Sequence, residues 1–403
     1  MSHRRRRRPG ARPQRRRDRP RHPERHPRGR SGRGARAARR LARVVRAGGG
    51  EALRTGGAGL ARPAARAPAR RAHPRAGAGR AGHRRRAASR GPRRNLRDAG
   101  GRVVKRDKST DARAIAHHYD VSNDFYALFL DPLMVYTCAY YRDPDGKIEQ
   151  AQQDKLDHVC RKLDLRPGET LLDIGCGWGG LSMWAARHYG VRAQGVTLSR
   201  AQADYAAERI KREGLERTCR VDYMDYRDLP AEVVYDKIAA VGVIEHVGIP
   251  NYPAFFGGVR ARLKDGGLYL NHGIVHEFGW KRSSQFEFLL RHVFPNGELA
   301  SLSGTLTEME RAGWEIMDVE GLRLHYARTC RQWAERLCAR ADEARALAGE
   351  HTYRTWRLYL TCSAVAFEGS SLGLYQVLMR KHRDPKVGDV PRTREPLYDR
   401  GPA

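Results

Sequence analysis

The chain has 403 residues and a net charge of +32, yet almost all of this charge lies at one end. Residues 1–100 carry 34 arginines, no lysine and four acidic residues, a net charge of +30, whereas the rest of the chain carries 43 basic and 41 acidic residues. The nearly neutral remainder gives no electrostatic reason to expect nucleic acid as a partner.

The arginine-rich segment predicts a disordered extension over residues 1–108. Residues 1–100 contain no Phe, Tyr, Trp or Cys, so they cannot bury enough apolar surface to offset the loss of chain entropy. Two interpretations stay open: a polybasic arm for anionic lipid or nucleic acid, and a non-native extension read from an upstream start or another frame. A folded domain is expected over 109–385, followed by a polar tail at 386–403.

The seven cysteines form no C-x-x-C pair and show no His/Cys metal spacing, so no metal site is expected. Their odd number and scattered positions fit reduced thiols in a cytoplasm. No run of about 18 apolar residues occurs, which argues against a transmembrane helix.

After the extension, strand patterns alternate with helix patterns. The predicted strands cover residues 171–174, 191–198, 220–224, 235–244, 267–275, 314–319 and 372–380. The predicted helices begin at Asn123, with Ser122 as N-cap, and cover 148–163, 181–189, 200–213, 252–263, 285–292 (within a lid-like insert at 278–299), 325–347 and 353–367. This alternation predicts an α/β fold with a doubly wound, mostly parallel, seven-stranded sheet.

The first predicted strand ends in a glycine turn that contains Gly175, Gly177 and Gly179. In doubly wound sheets such a turn opens a ligand site, because glycine permits a tight turn and a close approach to the backbone. The G-x-G-x-G spacing differs from the dinucleotide pattern, and no Lys-Ser/Thr pair follows as in a phosphate-binding loop. With Asp173 in front, the turn resembles motif I of methyltransferases that use S-adenosylmethionine (SAM).

Six local strings point to one family. They are H-H-Y-D-V-S-N-D-F-Y (117–126), V-Y-T-C-A-Y (135–140), D-I-G-C-G-W-G-G (173–180), G-V-T-L-S-R-A-Q (195–202), E-H-V-G (245–248) and F-P-N-G (294–297). In this order and spacing they resemble cyclopropane-fatty-acyl-phospholipid synthases and the related mycolic acid cyclopropane synthases, over residues 114–381. The resemblance implies the Rossmann-like fold of SAM methyltransferases.

The resemblance also implies a reaction. A methylene from SAM would be added to the cis double bond of an unsaturated fatty acyl chain of a phospholipid. A carbocation would form, bound bicarbonate would remove a proton, and a cyclopropane ring would close. A related SAM-dependent fatty-acid or small-molecule methyltransferase with a 10-methyl or methylene product remains the alternative.

By resemblance, four side chains would hold the bicarbonate: Cys138, Glu245, His272 and Tyr326, with the Ile274 backbone nearby. A neutral thiol, imidazole or phenol can donate a hydrogen bond to an anion. Glu245 would either accept the O–H of the bicarbonate or orient His272.

For SAM, the resemblance points to one larger set of residues. It comprises Tyr136, Thr137, Asp173, Gly175, Cys176, Gly177, Gly179, Thr197, Leu198, Ser199, Gln202, Asp225 and Tyr226. Most methyltransferases carry an acid at the end of the second strand to bind the ribose hydroxyls. Here Thr197 and its neighbours stand at that position, which fits this family and argues against a generic methyltransferase.

A carbocation must be shielded from water, which favours an aromatic pocket. The candidates are Tyr136, Tyr140, Tyr141, Phe255, Phe256 and Trp280. Because the acyl substrate lies in a bilayer, we expect a cytoplasmic protein that contacts the inner membrane face peripherally through 112–130 or 278–299. A homodimer is compatible with this expectation.

Overall fold

The structure is a computed structural model that describes residue 108 and residues 121–281, 283–295, 297–382 and 393–398. The predicted extension therefore lies outside the described residues except for Lys108, as do residues 117–120 of string 117–126 and Asn296 of F-P-N-G. Part of the predicted polar tail is described, and there Glu395–Tyr398 forms one helical turn.

The seven strands form one sheet, as the sequence predicts. They are β1 Thr170–Ile174, β2 Arg192–Thr197, β3 Cys219–Tyr223, β4 Tyr235–Val241, β5 Leu263–His276, β6 Trp314–Gly321 and β7 Leu372–Lys381. The spatial order is β3-β2-β1-β4-β5-β7-β6, and only β7 runs antiparallel to its neighbours. The predicted mostly parallel, doubly wound sheet is confirmed.

The helices connect and cover the strands. They are α1 Asn123–Ala127, α2 Ile148–Lys162, α3 Gly180–Tyr189, α4 Arg200–Arg212, α5 Ile244–Val247, α6 Tyr252–Ala261, α7 Ser284–His292, α8 Leu302–Arg311, α9 Arg323–Ala339, α10 Ala341–Glu368 and α11 Glu395–Tyr398. Single 3-10 turns occur at Tyr226–Asp228 and Ile249–Asn251. The Ser122 hydroxyl accepts the Phe125 N–H, which confirms the predicted N-cap of α1.

The sheet separates two hydrophobic clusters because successive strand residues point to opposite faces. Leu171 packs with α2 and α3 on one face, and Leu172 packs with α6 on the other. Both leucines are fully buried. A third, aromatic-rich cluster joins α1, α9 and α10 beside the ends of the central strands. The parallel strands β1, β2, β4 and β5 thus direct their carboxyl ends toward one edge.

Several elements differ from the predicted ones. The helix expected over 325–347 ends at Ala339, and α10 then runs through the expected gap with only a break at Gly349, whose φ is +80°. Helix α8 was not predicted. β4 ends at Val241, since Gly242 turns out of the strand with φ +73°.

Candidate active site

The backbone of the glycine turn after β1 lines open space at Gly175 and Gly177. Gly175 has φ +69°, and a Cβ there would lie 2.6 Å from Val243 Cγ2. The N–H groups of Gly175 and Cys176 both donate to the Val196 carbonyl on β2, at 2.9 and 3.1 Å. A left-handed backbone without room for a side chain requires glycine. The turn therefore leaves room for a ligand to approach the main chain at this edge of the sheet.

A hydrogen-bonded network lies at the end of β2. The Thr197 hydroxyl donates to Gln202 Oε1 at 2.8 Å and accepts the Ser199 N–H at 3.2 Å. The Ser199 hydroxyl caps α4 by accepting the Gln202 N–H at 3.3 Å. All three side chains are buried. The network uses the Gln202 carbonyl and leaves its amide N–H₂ beside Gly177.

Two cavities meet at the glycine turn and share Gly175, Gly177 and Gln202. The smaller has an empty volume of about 810 Å³ and is lined by Thr197, Leu198, Met224, Tyr226, Arg227 and Asn251, among others. The larger has an empty volume of about 1410 Å³, part of it open to solvent. Their union suits an elongated co-substrate that crosses the glycine turn with a second substrate beyond it.

All four predicted bicarbonate ligands line the larger cavity. Cys138 is fully buried, and its thiol donates to the Ala139 carbonyl at 3.2 Å and approaches the Leu322 carbonyl at 3.9 Å. Burial raises the pKa of the Cys138 thiol, so it stays protonated. Tyr326 is also neutral, because burial raises the pKa of its phenol. Its hydroxyl has no hydrogen-bond partner among the described residues.

Glu245 and His272 each present one unpaired polar atom. Glu245 Oε1 accepts the Ile274 N–H at 2.7 Å, while the buried Oε2 has no partner among the described residues. Burial raises the pKa of Glu245 to about 7. His272 Nε2 is likewise buried without a described partner, and burial lowers the pKa of His272 to about 3, so the ring is neutral. Two orphaned buried atoms in one cavity indicate a polar ligand.

Two buried polar side chains that the sequence patterns did not single out support this site: Lys155 lines the cavity, and Gln376 contacts His272. Gln376 Nε2 lies 3.1 Å from His272 Nδ1, and the two residues face each other across β5 and β7. His272 is thus oriented by Gln376, and Glu245 bonds to the Ile274 backbone instead. Of the two roles considered for Glu245, orientation of His272 has no hydrogen bond between the two side chains to support it among the described residues. Lys155 donates to the Thr137 hydroxyl at 2.9 Å.

The aromatic wall of the cavity consists mostly of residues that were not among the candidates. Of the six candidates only Tyr136 lines the cavity, where its hydroxyl donates to that of Tyr359 at 2.9 Å. Tyr140 instead stacks between His158 and His325, while Tyr141, Phe255, Phe256 and Trp280 do not line the cavity. The cavity's aromatic lining is Tyr136, Trp178, Phe286, Phe294, Tyr326, Tyr359 and Phe367.

Ten of the thirteen predicted SAM residues line one or both cavities. Gly179, Ser199 and Asp225 do not. Gly179 has φ +77° and begins α3, and Ser199 caps α4. The Asp225 carboxylate receives two bonds from the Arg227 guanidinium, at 2.6 and 2.8 Å, and that pairing lowers the Asp225 pKa. These three residues support the elements around the two cavities without lining them.

The sequence model of the family described as mycolic acid cyclopropane synthetase matches residues 106–377. The chain belongs to this family. It is a SAM-dependent methyltransferase of the cyclopropane synthase type, which confirms the expectation drawn from the six strings.

Relatives of the chain include proteins named for two different reactions. A probable fatty acid methyltransferase of Pseudomonas putida is 47% identical over 295 residues, covering 72% of this chain and 75% of that protein. The cyclopropane-fatty-acyl-phospholipid synthase of Escherichia coli is 37% identical over 289 residues, covering 71% of this chain and 72% of that protein.

The fold of the family is also seen in a crystal structure. The mycolic acid cyclopropane synthase CmaA1, complexed with SAH (S-adenosylhomocysteine) and CTAB, matches with a TM-score of 0.64 and 32% identity. The match covers 67% of this chain and 98% of that chain. It confirms the predicted fold class for this part of the chain.

Proposed function

We propose that this enzyme transfers a methylene from SAM to the cis double bond of an unsaturated phospholipid acyl chain and closes a cyclopropane ring. The observation that carries the proposal is the convergence of Glu245 Oε2 and His272 Nε2, both buried and unpaired, in an aromatic cavity beside the glycine turn. A polar anion site inside apolar walls suits a reaction that forms a carbocation and then removes a proton from it.

SAM would lie across the glycine turn, with its adenosine end in the smaller cavity and its sulfonium in the larger one. The turn supplies backbone contacts, and Gln202 offers an amide to both cavities. An alkene is a weak nucleophile, so the chief task of the residues around it is to hold it in line with the sulfonium methyl. The walls formed by Tyr136, Phe294 and Tyr359 also exclude water.

The donor set fits bicarbonate. When bound, bicarbonate supplies the base that accepts the proton lost on ring closure. With Gln376 donating to Nδ1, His272 is the tautomer that carries hydrogen on Nε2, so it donates into the cavity. Glu245 Oε2 can accept an O–H, and Tyr326 can donate. Cys138 would have to give up its carbonyl contacts to contribute a third donor.

Access to lipid would run past α7, whose Phe286, Leu289 and Leu290 line the cavity. Phe278, just before α7, is 90% exposed. An exposed phenylalanine close in sequence to a helix that lines the cavity supports peripheral contact with a membrane surface. Within the described residues no helix is long and apolar enough to cross a bilayer. Contact with the inner membrane face, cytoplasmic location and homodimer formation belong to this proposal.

A second candidate is a fatty-acid methyltransferase that leaves a methyl or methylene group. The 47% identical Pseudomonas putida relative, named as a probable fatty acid methyltransferase, favours it. The two reactions share the first carbon–carbon bond and differ in the bond that forms when the carbocation loses a proton: a second carbon–carbon bond closes the ring, whereas a new double bond leaves a methyl or methylene group.

The proposal is tested with the purified full chain, SAM and vesicles of unsaturated phospholipid, in buffer freed of carbon dioxide and then resupplied with bicarbonate. We expect acyl chains to gain one CH₂, and turnover to fall without bicarbonate and recover when it is added. Turnover that is indifferent to bicarbonate would contradict the anion site. Vesicles left unchanged, with free fatty acids modified instead, would contradict the phospholipid substrate.

A further inference from the structure

Lys155 is a buried cation without a counter-charge at bonding distance. Its side chain lies on α2, is 2% exposed and lines the larger cavity. Among the described residues it makes one hydrogen bond, to Thr137 Oγ1 at 2.9 Å, and no ion pair. Lys162 lies about two turns further along the same helix and is equally buried, but it pairs with Asp318 and Glu320 at 3.1 and 2.6 Å. Buried ammonium groups ordinarily have such partners.

The neighbouring carboxylates are engaged elsewhere. Asp131 accepts two backbone N–H groups, at 2.8 and 3.0 Å. Asp173 accepts the Ser182 hydroxyl at 2.9 Å. Both are close enough to influence Lys155 electrostatically, yet neither bonds to it. Two of the three N–H groups of Lys155 are therefore without a described acceptor at a cavity wall.

Lys155 also fixes which way the Thr137 hydroxyl points. An ammonium group can only donate, so Thr137 Oγ1 accepts from Lys155 and its own hydrogen must be directed elsewhere. No described residue accepts that hydrogen, and Thr137 lines the cavity. Gln152, one turn before Lys155, holds the same segment by donating to the Thr137 carbonyl at 2.9 Å. Helix α2 thus presents the Thr137 O–H to the cavity as a donor backed by a cation.

We propose that Lys155, acting through Thr137, recognises the carboxylate of the aminoacyl end of SAM and SAH. The aminoacyl end carries one carboxylate and one ammonium, and this wall offers a cation at Lys155 and a carboxylate at Asp173. A hydroxyl polarised by an ammonium is a strong donor to a carboxylate. The inference rests on the proposed position of SAM across the glycine turn. Lys155 is a positioning residue, and Thr137 contacts the ligand.

The test compares two ligands that differ only in that carboxylate. SAH and its decarboxylated analogue, S-adenosyl-3-thiopropylamine, are titrated by calorimetry into the wild-type chain and into the Lys155→Met variant. Methionine keeps the length of the side chain and removes its charge. We expect SAH to bind about tenfold more weakly to the variant, and the analogue to change by less than about twofold.

Two further variants protect the test against misfolding and non-specific effects. Thr137→Val should also weaken the binding of SAH more than that of the analogue. Adding Lys155→Met to Thr137→Val should lower the SAH affinity only slightly further, because both substitutions act on one contact. Lys162→Met is the matched control. It removes an equally buried lysine from the same helix away from the cavity, so it should lower stability without changing the ratio of the two affinities.

Equal weakening of both ligands by Lys155→Met would overturn the inference, as would unchanged binding of SAH. Fully additive losses in the double variant would overturn the action through Thr137. None of these binding results bears on the proposed lipid reaction, because product formation is measured in a separate assay. Failure of the lipid reaction with the ligand preference preserved would instead contradict the proposed function alone.

Discussion

Replacing Glu245 with glutamine separates the role of its charge from the role of its shape. Glu245 Oε1 accepts the Ile274 N–H at 2.7 Å, and Oε2 is buried without a described partner. Burial raises the pKa of Glu245 from 4.5 to about 7. A folded-state pKa above the unfolded value means that ionisation opposes folding. The cost is absent below about pH 4.5, grows as the pH rises, and is complete above about pH 7, where it reaches about 3 kcal/mol.

Glutamine keeps the acceptor for the Ile274 N–H and has no charge to bury. We therefore expect Glu245→Gln to be more stable than the wild type by up to about 3 kcal/mol near pH 8, and equally stable near pH 4.5. Lipid methylation should fall by at least about a hundredfold, because the variant no longer holds the anion and its proton. Urea unfolding followed by circular dichroism at the two pH values measures the first effect, and turnover with SAM and vesicles measures the second.

Glu320→Gln is the control with the opposite sign. His158 and Lys162 hold the pKa of Glu320 at about 2, despite the opposing effect of burial, so its ionised form stabilises the fold above about pH 4.5. That variant should lose stability near pH 8. Our reasoning would be refuted if Glu245→Gln were less stable than the wild type near pH 8. Full activity of the same variant would remove Glu245 from the site.

Three further substitutions, one of them with a matched control, test other parts of the account. Gln376→Leu should let His272 populate both neutral tautomers, seen by ¹⁵N NMR, and lower turnover about tenfold or more with little change in SAH affinity. Phe278→Ser should reduce co-sedimentation with unsaturated phospholipid vesicles while leaving turnover of a detergent-dispersed substrate intact. Gly175→Ala would place a Cβ 2.6 Å from a valine methyl carbon and should abolish SAH binding, whereas Gly214→Ala, at φ +67° with nothing within 4 Å, should cost only about 1 kcal/mol of stability.

Each of these has a clear contrary outcome. An unchanged His272 spectrum would show that another group sets the tautomer. Undiminished vesicle binding by the Phe278 variant would move the membrane contact elsewhere. Equal losses of SAH affinity in Gly175→Ala and Gly214→Ala would mean that backbone strain, and not the close approach at Gly175, makes alanine unfavourable in the turn.

The sheet was predictable because its signal is local. Most strands contain a short apolar run, and the left-handed backbone at Gly175 requires the glycine that marks the turn after β1. Helix α8 was missed because Gly304 weakens its pattern, although Ser301 caps it and Leu306 and Met309 follow on one face. The end of α9 at Ala339 has no glycine or proline to mark it. Packing of α9 against α10 sets it instead.

Candidate site residues could be predicted where they lie in strings that resemble the family, and less well elsewhere in the chain. Aromatic side chains could be found in the sequence, but the face on which each lies depends on tertiary packing. The sequence therefore could not separate Phe255 and Phe256, which pack in the core, from the aromatic residues that line the cavity. A signal for Lys155 was present, since it occupies a position on the apolar face of its helix. Gln376 likewise interrupts an apolar strand that is buried between two others.

The central claim is that the carbon taken from SAM ends in a three-membered ring. The most direct test is ¹³C NMR of acyl chains recovered after reaction of the full chain with SAM labelled at its methyl carbon and unsaturated phospholipid vesicles. We predict that the label appears as a ring CH₂ of a cyclopropane. A label found as a CH₃ branch or an exocyclic methylene would contradict this claim and select the fatty-acid methyltransferase alternative.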